Sequence, residues 1–157
     1  MQAKPGVIDR LNAILTVELT AINQYFVQAE ICRGWGFERL YHKLRETSLA
    51  EMQDSQQLIA HILYLEGVPN MQRMNQVMIG ESVAECLQLD LELERGAVET
   101  LREAISHCRS VEDYTTRRMF EEMIASEETH VDWLESQLET IRQVGIENYL
   151  AQQIHKD

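Results

Sequence analysis

Apolar side chains recur every three or four residues along four long stretches of the chain, which is the spacing of one face of an α-helix. Glycine and proline, which interrupt helices, occur mainly between these stretches. The pattern therefore predicts four long helices and a short fifth one, over residues 7–34, 38–66, 82–110, 113–143 and 146–153. Because no stretch alternates as a strand does, the predicted fold class is all-α.

The connections between these helices predict their topology. Only a few residues join the first helix to the second and the third to the fourth, so each pair must be antiparallel neighbours. The link over residues 68–81 is longer and lacks helical periodicity, which allows it to run the length of a bundle. We therefore expect residues 1–157 to form a single domain, a four-helix bundle with one long crossover. Ser82 and Asp113 are the expected N-terminal residues of their helices.

Composition excludes several classes of protein. The chain has 14 Lys+Arg against 26 Asp+Glu, a net charge of −12, which argues against a nucleic-acid or anionic-membrane partner. No apolar run approaches the ~18 residues of a membrane span, and the start lacks the apolar core of a signal peptide. Three widely spaced cysteines, Cys32, Cys86 and Cys108, are expected to be reduced. These features predict a cytoplasmic protein.

The two halves of the chain repeat each other with an offset of 76 residues, which superimposes Leu11 on Leu87 and Leu15 on Leu91. The offset also superimposes three polar pairs: Glu18 on Glu94, Glu51 on Glu127, and Asp54 on His130. The repeat therefore describes how each helix pair faces the core, with carboxylates set inside an apolar pattern.

Each of these four glutamates lies near the middle of its helix. Antiparallel helices of similar length bring their midpoints to the same height, so the four side chains should converge on one level of the core. The positions three residues after Glu51 and Glu127 return to within about 60° of the same face. We therefore expect Asp54 and His130 to point inward too.

Four buried carboxylates need compensation, because burying each unpaired one costs several kcal/mol. Lys and Arg are missing from the facing core positions. The remaining explanations are bound metal ions and a buried hydrogen-bonded network, of which metal ions are favoured. Glutamate-rich ligation with some nitrogen suits a di-iron or di-manganese pair, in which two Fe(II) can each give O₂ an electron.

The chain resembles the bacterioferritins over essentially its whole length. The resemblance is carried by residues 21–26 (AINQYF), 35–36 (WG), 65–70 (LEGVPN), 79–81 (IGE), 101–105 (LREAI) and 130–135 (HVDWLE). It implies a ferritin-like four-helix bundle with one long crossover and a short fifth C-terminal helix. Bacterioferritins form octahedral shells of two dozen subunits, oxidise Fe(II), store a ferric mineral core, and bind haem b between paired subunits.

The resemblance also implies a ligand set. It matches five residues to the ferroxidase ligands: Glu18, Glu51, Glu94, Glu127 and His130. Of these, Glu51 and Glu127 are the bridging pair. Asp54 stands where the family has histidine. Four carboxylates with two neutral histidines balance two Fe(II), so an ionised Asp54 leaves one negative charge in excess. We expect a ferric product held more tightly or one iron position poorly filled, and hence reduced ferroxidase activity.

Met52 is a second candidate for function. It lies about 100° round the helix from Glu51 and therefore points out of the bundle, with Leu49 and Ile59 on the same side. An outward methionine in an apolar strip usually packs in an interface. The resemblance instead implies a haem axial ligand, with one Met52 from each of two subunits across a two-fold interface.

The remaining histidines lie away from the faces that carry these ligands. We expect surface or interface roles for all four: His42, His61, His107 and His155.

Four hypotheses follow for the function. The first is a bacterioferritin subunit that oxidises Fe(II) and stores iron. The second is a haem-carrying, weakly ferroxidase-active subunit of a mixed shell, which would fit an intact Met52 beside the altered Asp54. The others are a helical interaction module without metal and a small di-iron oxidase outside a shell. The resemblance further implies a ferredoxin-type electron donor that reduces the haem.

Overall fold

The computed structural model describes residues 1–157 and contains five helices and no strands. The helices are α1 (Val7–Gly34), α2 (Glu38–Tyr64), α3 (Val83–Ser110), α4 (Tyr114–Val144) and α5 (Ile146–Ala151). α1 packs against α2 and α3, α3 against α4, and α5 against the end of α4. The all-α prediction of a four-helix bundle with a short fifth helix is confirmed.

Five helix ends differ from the predicted ranges by one or two residues. Ser82 and Asp113 cap their helices from outside: Ser82 Oγ accepts a hydrogen bond from the Glu85 amide at 3.2 Å, and Asp113 Oδ1 accepts one from Thr116 at 2.9 Å. α2 ends before Glu66, whose φ of 61° is left-handed and stops the helix. α4 runs one residue further than predicted, and α5 ends two residues earlier.

The crossover between α2 and α3 runs along α1, as its length predicts. Side chains of α1 accept hydrogen bonds from its backbone amides at three heights: Asn12 from Asn70 at 2.8 Å, Thr20 from Asn75 at 2.9 Å, and Gln24 from Met78 at 3.1 Å. Asn12 and Gln24 are about 18 Å apart along the helix axis. The crossover therefore returns the chain to the end of the bundle where α2 begins, so α2 and α3 run parallel.

The apolar core is divided into two clusters. One contains Leu11, Leu58 and Phe120 at the end of the bundle where the chain begins, and the other contains Leu40 and Leu134 at the opposite end. On every long helix a buried glutamate lies between the residues of one cluster and those of the other. A polar layer thus interrupts the core at the middle of the bundle.

Two further observations concern the cysteines and the membrane. All three cysteines are buried as free thiols, and Cys86 Sγ lies 3.7 Å from the carbonyl oxygen of Gly80. None of the helices combines the length and apolar character that crossing a membrane would require.

Candidate metal centre

The polar layer consists of the four glutamates that the repeat singled out. Their side chains are at most 1% exposed, and they are contributed one by each long helix: Glu18, Glu51, Glu94 and Glu127. Each helix supplies its glutamate at mid-length, because the apolar residues on both sides bury the same face. The structure therefore brings all four carboxylates to one level of the core.

Two groups of possible ligand atoms, each within 4.8 Å of one another, occupy this layer. The first consists of Glu51, Glu94, Glu127 and His130, and the second of Glu18, Glu51, Asp54 and Glu127. Glu51 and Glu127 belong to both groups. The arrangement is that of two adjacent cation positions that share a pair of carboxylates.

His130 is the positive group of the layer. Its Nδ1 lies 3.1 Å from Glu51, 3.3 Å from Glu94 and 3.2 Å from Glu127. Burial alone would lower the pKa of His130, but the carboxylates of Glu127, Glu51 and Glu94 together outweigh it and raise the pKa to about 12. In the metal-free chain His130 is therefore an imidazolium that neutralises part of the carboxylate charge.

Asp54 lies on the other side of the shared pair and has no such neighbour. It is half-buried and makes no hydrogen bond or ion pair within the chain. Burial, followed by the charge of Glu51, raises the pKa of Asp54 to about 6. Its oxygen nevertheless lies within reach of the atoms that the second cation position would use.

Several carboxylate oxygens of the layer are buried without any hydrogen-bond partner: Glu18 Oε2, Glu51 Oε2 and Glu127 Oε1. Burial, with the charges of Glu51 and Glu127, raises the pKa of Glu18 well above its usual range. Because buried acceptors are nearly always satisfied, unpartnered oxygens at one level fit a site that binds cations. An oxygen-rich set with a single nitrogen favours hard or borderline divalent ions such as Fe(II) or Mn(II).

Tyr25 is part of this site, although the sequence analysis named it only within a resembling segment. Its hydroxyl donates a hydrogen bond to Glu94 Oε1 at 2.5 Å. Burial, with Glu127 next in effect, raises the pKa of Glu94 to about 8. The available signal was spacing, since Tyr25 follows Glu18 by seven residues, or two helical turns, on the same face.

A pocket of about 260 Å³ leads from the surface to this layer between α2 and α4. Tyr25 and His130, both in contact with the carboxylates, line it together with Lys43, Asp132 and Trp133. The Lys43 ammonium lies over the Trp133 ring, 5.2 Å from its centroid. The candidate metal centre therefore comes nearest to solvent on the side of His130.

Met52 points out of the bundle, on a side of α2 about 100° round from Glu51. Its side chain is 53% exposed, and Leu49 and Phe26 are 43% and 59% exposed on the same pair of helices. Ile59, seven residues further along α2, lies on the same side as Met52 but is partly buried and also packs against the core.

None of the other histidines belongs to the centre. His107 bonds the carbonyl oxygen of Pro5 at 2.7 Å, His42 pairs with Glu38, and His155 is exposed in the tail. His61 differs from the surface role expected of it, because it is partly buried and lies 2.8 Å from Thr116 Oγ1. It thereby links α2 to α4.

Comparison with known proteins agrees with this geometry. Residues 8–144 match the ferritin-like domain family. A bacterioferritin of Mycolicibacterium paratuberculosis is 42% identical over 97% of this chain and 96% of its own length. One from Streptomyces coelicolor is 43% identical over 96% and 90%, and one from Brucella melitensis is 40% identical over 95% and 92%. The chain therefore belongs to the bacterioferritin family.

Proposed function

We propose that this protein stores iron and oxidises Fe(II) with O₂ at the mid-bundle centre, as a ferroxidase. Family membership supports iron storage as the general role. The observation that carries the finer proposal is the buried layer of four glutamates with unpartnered oxygens, arranged as two ligand groups that share Glu51 and Glu127.

Each ligand has a distinct task in this proposal. Glu51 and Glu127 would be ligands of both Fe(II), since both belong to each ligand group. Glu94 and His130 would complete the first position, and Glu18 and Asp54 the second. Two Fe(II) bound as substrate would each give one electron to O₂, which would take up two protons and leave as H₂O₂, with both irons left as Fe(III). The protein keeps the ligands in place before the metal arrives, and the imidazolium of His130 gives up its proton when it binds iron.

Tyr25 positions Glu94 in the first half of the centre. Its hydroxyl donates to Glu94 Oε1, the oxygen that also lies 3.3 Å from His130 Nδ1. The apolar cluster behind the tyrosine fixes the ring, because Tyr25 is only 1% exposed. Glu94 therefore keeps its orientation while it changes from protonated acid to ligand.

We also propose that Met52 binds haem b, with a second copy of the chain supplying the other axial methionine. The residues present fit such a group, since an exposed thioether stands beside exposed apolar side chains at Leu49 and Phe26. A bound haem would supply one-electron chemistry to the stored ferric mineral, at a potential raised by thioether ligation. Assembly into a shell of two dozen subunits and a ferredoxin-type donor belong to the same proposal, on the strength of the resemblance.

Asp54 favours a second candidate function, that of a weakly oxidising, haem-carrying subunit in a mixed shell. With Asp54 ionised, five carboxylates surround two Fe(II), so the centre holds one excess negative charge. That charge stabilises Fe(III) over Fe(II) and slows release of the product. A partner chain with an intact centre would then carry out most of the oxidation.

The test compares wild type, purified alone, with Asp54→His. Two Fe(II) per chain are added aerobically, and oxidation is followed over successive additions. Equal and repeated turnover by both proteins supports a self-sufficient ferroxidase. If wild type oxidises Fe(II) slowly and Asp54→His is at least ~10-fold faster, the result supports the mixed shell. Failure of both proteins to oxidise iron faster than buffer would contradict both proposals.

A further inference from the structure

The pocket between α2 and α4 is the place where the metal centre comes nearest to solvent. The His130 side chain is 16% exposed, whereas the four glutamates are at most 1% exposed. Tyr25 and His130 form the inner wall of this pocket, and each contacts carboxylates of the centre. A small solute that enters the pocket therefore reaches the first ligand without crossing the apolar core.

Lys43 gives this pocket an unexpected charge. A route for divalent cations would be expected to carry acidic side chains, but here an ammonium lies over the Trp133 ring instead of pairing with a carboxylate. Asp132 is the one carboxylate of the lining. Trp133 follows His130 by three residues, so the ring that carries Lys43 lies about one helical turn from the ligand.

From this geometry we propose that Lys43 is an electrostatic gate that slows the arrival of divalent cations at the centre and leaves neutral O₂ unhindered. The inference rests on the proposed metal centre, because the gate acts on cations that move towards that centre. A unit charge about 10 Å from the path repels a divalent ion enough to slow its arrival about fourfold in a water-like medium, and more within a low-dielectric pocket. Salt near 0.15 M reduces the effect, because the Debye length is then about 8 Å.

The experiment measures Co(II) loading of the assembled, metal-free protein by stopped-flow absorbance at low ionic strength. Lys43→Met removes the charge and keeps an apolar stem against Trp133, and Lys43→Gln removes it with a polar side chain. Both are expected to load about 4- to 10-fold faster than wild type, with unchanged Co(II) bound at equilibrium. Lys43→Arg keeps the charge and should load at the wild-type rate.

The matched control is Arg118→Gln, which removes the same charge from a side chain that is 82% exposed and lies outside the pocket. It should leave the loading rate within about twofold of wild type, and 0.5 M salt should abolish the advantage of the Lys43 variants. Equal rates in wild type, Lys43→Met and Lys43→Gln, or equal acceleration by Arg118→Gln, would overturn the gate alone. Wild type that binds no Co(II) would overturn the metal centre and the gate with it.

Discussion

The two halves of the proposed metal centre are built on the same arrangement of helices but differ in charge. In the half that contains Glu94, the imidazolium of His130 lies within 3.3 Å of three carboxylates. In the half that contains Glu18, the equivalent position is Asp54, which adds a carboxyl group and pairs with nothing. One half therefore holds a cation that offsets part of its carboxylate charge, and the other half adds a carboxyl group without a cation of its own.

This difference shows what the internal repeat determines. Apolar positions related by the 76-residue offset pack both helix pairs in the same way. The fold therefore tolerates either aspartate or histidine three positions after the shared glutamate. The chemistry of each half depends on that single position. A histidine can give up its proton and stay as a neutral ligand, whereas an aspartate contributes a further negative charge.

The largest effect should follow from removing a shared ligand, because that breaks both halves together. Glu127→Gln deletes a carboxylate that belongs to both ligand groups. We expect loss of both metal ions and a fall in Fe(II) oxidation of more than roughly 100-fold, measured by metal content and initial rate. The neighbouring Glu128→Gln is the control, since Glu128 is exposed and should retain wild-type activity. If Glu127→Gln still binds two metal ions per chain, the two halves do not share Glu127.

The next largest effect is a difference in how the two halves contribute to the stability of the metal-free protein. His130→Ala removes the only cation among three buried carboxylates and should lower the free energy of unfolding by roughly 3 kcal/mol at pH 8. Asp54→Ala removes a like charge from a half-buried site and should raise it by about 1 kcal/mol after solvent screening. Denaturant unfolding of the two variants measures both changes. If both variants change the free energy of unfolding by the same amount in the same direction, the proposed difference in charge between the two halves is contradicted.

A smaller effect is the dependence of metal-free stability on pH. The pKa of Glu94 is raised from 4.5 to about 8, so the folded chain binds more protons than the unfolded chain between these values. His130 acts in the same direction, because its pKa is raised from 6.5 to about 12 and its stabilisation is lost as pH rises between them. The unfolding temperature of the metal-free protein should therefore fall by a few degrees from pH 5.5 to pH 8.

Metal should reverse this trend, because its ligands must be deprotonated to bind. The unfolding temperature of protein saturated with Mn(II) is expected to rise over the same pH interval. Parallel curves for the metal-free and saturated proteins would contradict the assignment of these groups as ligands.

The smallest effect concerns only the half that contains Glu94. Tyr25→Phe removes the hydroxyl that donates to Glu94 and should cost about 1 kcal/mol of unfolding free energy. It should also weaken the first cation position by a few-fold in a Co(II) titration and leave the second unchanged. Equal weakening of both positions would show that the tyrosine does not orient Glu94 alone.

Much of this arrangement could be predicted from the sequence. Helical periodicity gave the four long helices, and the mid-helix position of each glutamate predicted that Glu18 and Glu94 would meet at one level. The ends of the helices were less certain, because the left-handed turn at Glu66 depends on local backbone energetics that periodicity does not report. The sequence also did not show that Ile59 packs against the core, because a helical wheel does not state how far the apolar face extends.

Other features depend on contacts between helices that are distant in sequence. The hydrogen bond from Tyr25 to Glu94 joins residues 69 positions apart, and spacing on one helix could suggest it without identifying its acceptor. Two of the three contacts of His130 likewise come from other helices, Glu51 on α2 and Glu94 on α3. The sequence pattern predicted which residues face inward, but only the packed structure showed which of them contact one another.

The most direct test of the central claim is anomalous diffraction at the iron edge from crystals soaked anaerobically in Fe(II). Our interpretation predicts two adjacent peaks in the mid-bundle layer, one beside Glu94 and His130 and one beside Glu18 and Asp54, both in contact with Glu51 and Glu127. A single peak confined to the His130 half would indicate that Asp54 disables its position. An iron-free layer, in crystals that bind iron elsewhere, would contradict the proposed metal centre.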